Sequence, residues 1–156
     1  GTGDITGLTA GALEASAIGT GAVRQVVTSV KTDTSSGTNL MSSASWSSVL
    51  SASITPTSTT SKILCIVTSS VVTSTTNSVY MTLYKNGSNV LSTGGFVETA
   101  SAGGSDYVGV PFQYLDSPAT TSSTTYTVYF RTNTVGTVAL NQDSSISVIT
   151  LQEIAA

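Results

Sequence analysis

Histidine is absent from all 156 residues. That one absence removes the commonest general base, the Ser-His-Asp and Cys-His nucleophile arrangements, and the commonest zinc ligand. Cysteine occurs once, as Cys65, so no intrachain disulfide can form. None is needed, because a chain of this length buries roughly 70% of its unfolded surface in a core of its own. Set between Leu64 and Ile66, Cys65 reads as a small buried hydrophobe rather than a reactive thiol. Charge is scarce as well: five Lys and Arg against eight Asp and Glu, net −3. The cations Arg24, Lys31, Lys62, Lys85 and Arg131 are scattered, which leaves no basic stripe to neutralise phosphates and makes nucleic acid an unexpected partner. No stretch approaches the roughly 20 apolar residues of a membrane span, and no charged start leads into an apolar signal region. Calcium-loop and phosphate-loop spacings are missing too, so no cofactor or metal is expected. The chain does not begin with Met and reads as a piece of something longer or a processed product.

Serine and threonine make up about a third of the residues. A hydroxyl-rich, charge-poor surface is hardly screened by salt, which suits an extracellular setting. Thr and Val favour strands, and the strong helix formers thin out after residue 22, so the fold class expected is all-β. The longest apolar run lies in residues 62–72, where Ile63 to Val67 shows no polar face. That pattern predicts a strand covered on both sides in the middle of a sandwich or barrel.

Strands are predicted over Val23–Lys31, Trp46–Thr55 (closed by Pro56) and Ser78–Tyr84. In the last of these Val79, Met81 and Leu83 alternate with Tyr80, Thr82 and Tyr84. Asn86-Gly87 supplies a tight hairpin turn, with the return starting at Val90-Leu91 and extended by Phe96–Glu98. Asp106–Leu115 carries Pro111 and is therefore expected at a sheet edge or bulged. Thr125–Thr132 sets Tyr126, Val128 and Phe130 against Thr127, Tyr129 and Arg131, and Thr137–Leu140 and Ile146–Ile154 complete the set. Eight or nine strands at regular spacing predict an antiparallel sandwich.

Residues 1–22 differ from the 23–156 head. Glycines at 1, 3, 7, 11, 19 and 21 argue against a helix, yet Ile5, Leu8, Leu13 and Ile18 need an apolar partner. Either this segment packs on the main domain, or it packs on copies of itself around an axis.

Chemistry is sparse. Glu98, Asp106 and Asp116 flank neighbouring predicted strands, and a glycosidase pair needs two carboxylates about 5–9.5 Å apart. Turn and loop-end roles account for the same residues. Asn86-Gly87-Ser88 matches a glycosylation acceptor, but the hairpin turn explains it fully. Trp46, Tyr107, Tyr114 and Tyr129 are candidate sugar-stacking platforms, with core and rim packing as the plainer alternative. The loops at 32–45, 73–78, 99–105, 117–124 and 132–136 are candidate contact surfaces.

The leader from Ile5 to Ile18 resembles the Gly/Ala/Thr-rich shaft repeats of tailed-bacteriophage fibres. Ser61-Lys-Ile-Leu64, Tyr114-Leu-Asp-Ser-Pro118 and the ending Ile149-Thr-Leu-Gln-Glu-Ile154 resemble the C-terminal head domains of fibres from phages of aquatic bacteria such as cyanobacteria. The resemblance implies a homotrimer of jelly-roll-like heads on a narrow shaft, with Ile5, Leu8, Leu13 and Ile18 at the trimer axis. It further implies a non-enzymatic place on the virion surface, attached to other virion proteins. The role expected from it is host attachment through a cell-surface polysaccharide or protein, or, alternatively, a purely structural one as a capsid decoration or tail-junction fibre. It brings no catalytic residues.

Overall fold

The structure, a computed structural model, describes residues 19–32, 40–41, 45–74, 78–91, 94–100, 105–132, 136–141 and 144–156. Ile5, Leu8, Leu13 and Ile18 lie outside the described residues. Among those described there is no α-helix, and eleven strands form two antiparallel sheets.

One sheet contains β1 (Val23–Lys31), β2 (Leu40–Met41), β4 (Lys62–Ser74), β8 (Ser105–Asp116), β10 (Gly136–Leu140) and β11 (Ser147–Ile154). Its order is β1-β11-β4, with β10 and then β2 continuing beyond β11 along one side of β4, and β8 pairing the other side. The second sheet has the order β3 (Ser47–Ile54), β9 (Thr124–Thr132), β5 (Ser78–Lys85), β6 (Ser88–Asn89), with β7 (Val97–Ala100) also on β5. Both sheets feed one core: Ile63, Cys65, Val67, Ile149 and Leu151 from the first, Met81, Leu83, Tyr126, Val128 and Phe130 from the second. The arrangement is sandwich-like, and the inward sets are those that the alternation in β5 and β9 predicts.

β4 departs from expectation. Ile63, Cys65, Val67 and Val71 are fully buried, but Leu64 and Ile66 are half-buried and Thr68 is exposed. The strand is covered on one face only. Leu64 and Ile66 lie on the outside of the sheet, sheltered sideways by neighbours such as Gln152 and Leu115 in the rows beside them rather than by another layer. An unbroken apolar run therefore reflects an apolar outer surface here, not burial on both sides.

β8 is the edge strand that its proline predicts. Among the described residues it hydrogen-bonds only to β4, and its register runs unshifted through the Thr68–Pro111 pair. Asn86 (φ 48°) and Gly87 (φ 84°) form the predicted hairpin turn, with both residues left-handed. The return is shorter than expected. Ser88–Asn89 pairs at once with Lys85 and Tyr84, and the chain rejoins β5 only at Val97.

Two buried carboxylates tie the layers together. Asp116 accepts hydrogen bonds from Lys85 Nζ (3.0 and 3.1 Å) and from the hydroxyl of the buried Tyr126 (2.6 Å). It thereby joins the end of β8 in one sheet to β5 and β9 in the other. Burial first, and then the bond to Asp116, hold the Tyr126 hydroxyl well above its ordinary pKa. Glu153, fully buried, accepts from Gln25 Nε2 (2.6 Å), the Thr57 amide (2.8 Å) and the Thr57 hydroxyl (2.7 Å). Burial pushes its carboxyl up, but these donors, together with the nearby Ser61 hydroxyl, outweigh it and hold the carboxyl below the usual range.

Candidate functional site

The outer face of the five-stranded sheet gathers most of the aromatic residues that are not in the core. Because directly paired residues in antiparallel strands share a face, register alone places Arg131, Tyr80 and Glu98 side by side across β9, β5 and β7. Trp46, immediately before β3, extends this row. The Arg131 guanidinium carbon lies 5.0 Å from the Trp46 ring centre and 4.3 Å from that of Tyr80, within cation–π range of both. At the far side the Tyr80 hydroxyl donates to Glu98 Oε1 at 2.7 Å. That bond, with burial and the Glu98 charge adding, raises the Tyr80 hydroxyl above its ordinary value.

A second group adjoins the first. Tyr129 pairs with Thr82, which sets it diagonal to Tyr84, and the two rings meet with centres 4.0 Å apart at a tilt of 32°. Thr82 points outward yet is fully buried, flanked by Tyr80 and Tyr84 on its own strand and Tyr129 across, and its hydroxyl donates to Asn89 Oδ1 at 3.0 Å. Tyr80, Tyr84 and Tyr129 themselves are half-buried. Ser48, Ser51, Ser53, Thr125 and Thr127 continue the face as hydroxyls. Among the described residues of these five strands, Arg131 and Glu98 are the only charges that point outward.

Gly95 seats the row. With φ at 92° it occupies the left-handed region, and a Cβ there would stand 2.8 Å from the Met81 carbonyl oxygen and 3.1 Å from the Trp46 ring. The following amide, Phe96, donates to the same Met81 carbonyl at 2.7 Å. Only glycine allows the loop to pass this close beneath the indole.

Of the four aromatic residues singled out in the sequence, Trp46 and Tyr129 lie on this face. Tyr114 instead packs edge-on against Phe96 beside the core (5.6 Å between centres), and Tyr107, 58% exposed, stands on the opposite sheet. Tyr80, Tyr84 and Arg131 are the members that sequence reasoning missed. Their signal was present in the alternation of β5 and β9, but only the pairing of those strands makes them neighbours.

The acidic candidates do not converge. Asp116 is buried and bonded beside Lys85, Glu98 is exposed beside Tyr80, and five residues of β5, roughly 16 Å of strand, separate those two positions. That exceeds the spacing for a glycosidase pair. Asp106 is exposed on β8. Burial, with Asp116 adding, pushes the Cys65 thiol up to about 12, so at neutral pH it is not a nucleophile. Among the described residues no group of three or more Cys, Asp or Glu is placed to hold a metal ion. Of the candidate loops, 117–124 is described throughout and joins β8 to β9 at the end of the sandwich where Ile63 pairs Asp116. The strand ends bracketing 73–78, 99–105 and 132–136 meet at the opposite end, through the Ser74–Ser105, Ser78–Ala100 and Val79–Thr132 pairs.

The outer face of the six-stranded sheet is of a different kind. Val26, Val30 and Leu115 are each half or more exposed. A depression of about 300 Å³ is lined by Ile66, Val67, Thr68, Pro111, Phe112 and Gln113. A second, of about 390 Å³, lies where Gly21, Lys62, Leu115, Ile154 and Ala155 meet. In a comparison with known proteins, no family model and no curated protein matches this chain.

Proposed function

We propose that this chain is the head of a trimeric tailed-bacteriophage fibre that attaches the virion to a glycan on the host cell surface, through the aromatic face of the five-stranded sheet. The observation that carries the reading is the row Trp46, Arg131, Tyr80 and Glu98 with the Tyr84–Tyr129 pair beside it. Sugars are bound by aromatic rings that cover their apolar faces and by polar groups at the rim that take their hydroxyls. This face offers both on rigid strands. The jelly-roll-like form of the head and its trimeric assembly belong to the same proposal. They are supported by a leader whose Ile5, Leu8, Leu13 and Ile18 need an apolar wall, and by the exposed Val26, Val30 and Leu115 on the outer face of the six-stranded sheet. Three heads on one axis convert weak single-site contacts into firm attachment.

Two measurements test this. Light scattering on the purified chain gives a trimer if the assembly is right, and a monomer at micromolar concentration overturns it. Binding to cyanobacterial envelope polysaccharide, lost on Tyr84→Ala/Tyr129→Ala while the mass stays unchanged, supports the attachment face. Failure to bind any envelope fraction, together with tight binding to another virion protein, replaces it with a structural role in the particle.

A further inference from the structure

We infer that the glycan bound by the aromatic face is acidic, and that the Arg131 guanidinium receives the carboxylate of a uronic-acid residue. The inference rests on the glycan reading above and adds to it the chemical class of the ligand.

Arg131 is held against two aromatic rings. Rings at 4.3 and 5.0 Å fix the position of the guanidinium, yet no described residue gives it a hydrogen-bond acceptor or a carboxylate. An aromatic face takes up the charge of a guanidinium but offers its N–H groups no oxygen acceptor, so the contacts with Trp46 and Tyr80 leave the hydrogen-bonding capacity of the fork for a ligand. A planar, pre-set fork of this kind matches a carboxylate with two parallel bonds. The usual internal candidate for that role, Glu98, is occupied at the other end of the row, where Tyr80 donates to it. Tyr80 thus keeps the two opposite charges from collapsing into a surface ion pair.

The result is a site with a donor fork at one end, a carboxylate acceptor at the other and aromatic surface between. A uronic acid is complementary to each part: its carboxylate to Arg131, a sugar hydroxyl to the free oxygen of Glu98, its ring faces to Tyr84 and Tyr129. A singly charged carboxylate also suits a row that already contains one negative group and a chain of net charge −3. A doubly charged phosphate would meet more repulsion there.

The test uses acidic envelope polysaccharide from cyanobacteria in two forms, native and with its uronic carboxyls reduced to primary alcohols, against the intact chain and Arg131→Gln. The native form is expected to bind about tenfold to a hundredfold more tightly than the reduced form. Arg131→Gln should remove that preference, so that the native and reduced forms bind alike. Arg131→Lys, which keeps the charge without the fork, should restore only part of it. Equal binding of both forms by the intact chain overturns the inference and leaves the glycan reading in place. Binding of neither form overturns the glycan reading itself, and this inference with it. The two polysaccharide forms are compared on the unaltered chain, so the result does not depend on the variants folding.

Discussion

The two outer faces of the molecule are made by the same rule and come out chemically opposed. In both, alternate residues of paired strands point away from a shared core, and in both Ser and Thr recur among them. On the six-stranded sheet Val26, Val30, Leu64, Ile66 and Leu115 predominate among the aliphatic side chains, groups that offer area and little direction. On the five-stranded sheet stand Tyr80, Tyr84, Tyr129, Arg131 and Glu98, side chains with defined donors, acceptors and ring planes. Aliphatic area suits a surface that needs to be covered, whereas oriented polar groups suit one that needs to discriminate.

The difference can be broken most forcefully on the aliphatic side. Val26→Glu combined with Leu115→Glu puts two like charges on one row of the sheet. The exposed positions leave the fold intact, but the assembled species should fall to monomer in sedimentation, and avidity for envelope polysaccharide should drop by about 10² to 10⁴. An unchanged mass would remove this face from the assembly. Next in size is the link between the sheets. Asp116→Ala leaves Lys85 and the Tyr126 hydroxyl without their shared acceptor, and chemical denaturation should show a loss of about 3 kcal/mol, the low end for a buried pair because Lys85 is partly exposed. Gly95→Ala should cost about 2 kcal/mol from left-handed strain and the clash with Met81. It should also tilt Trp46 and weaken glycan binding, while the mass of the assembly is unaffected. That contrast sharpens the separation of the two faces.

The smallest effect is one of pH. The Glu153 carboxyl is held below its ordinary value of 4.5. The stability it contributes is therefore fully present above pH 4.5 and is lost as pH falls through the lower folded value. Melting temperatures from pH 7 down into the acid range should show that loss, and Glu153→Gln should flatten the curve. A wild-type curve that rises on acidification would contradict the sign.

Local pattern made the strands and their inward sets legible. Met81 and Leu83, Val128 and Phe130 follow from period two alone. What pattern does not contain is which strand lies beside which. Trp46, Arg131, Tyr80 and Glu98 come from four separate segments, and their row exists only because β9 and β5 pair at Tyr80–Arg131 and β7 joins β5 at Tyr80–Glu98. The run Ile63–Val67 misled for a related reason: side-chain type was informative, but whether a second layer covers Leu64 and Ile66 is a property of the whole sandwich. Asp116 looked like a turn residue because it precedes Ser117-Pro118, and its burial depends on Lys85 and Tyr126, which are distant in the chain.

Pro111 has a bearing on how the molecule stays discrete. Among the described residues β8 has a strand partner on one side only along its twelve residues, and in a chain with so few charges an open strand of that length is a template on which like molecules stack. A ring nitrogen near its midpoint, with no proton to offer, divides the template into two short halves. An incoming strand therefore finds only two short runs of donors and acceptors on this edge instead of one long one.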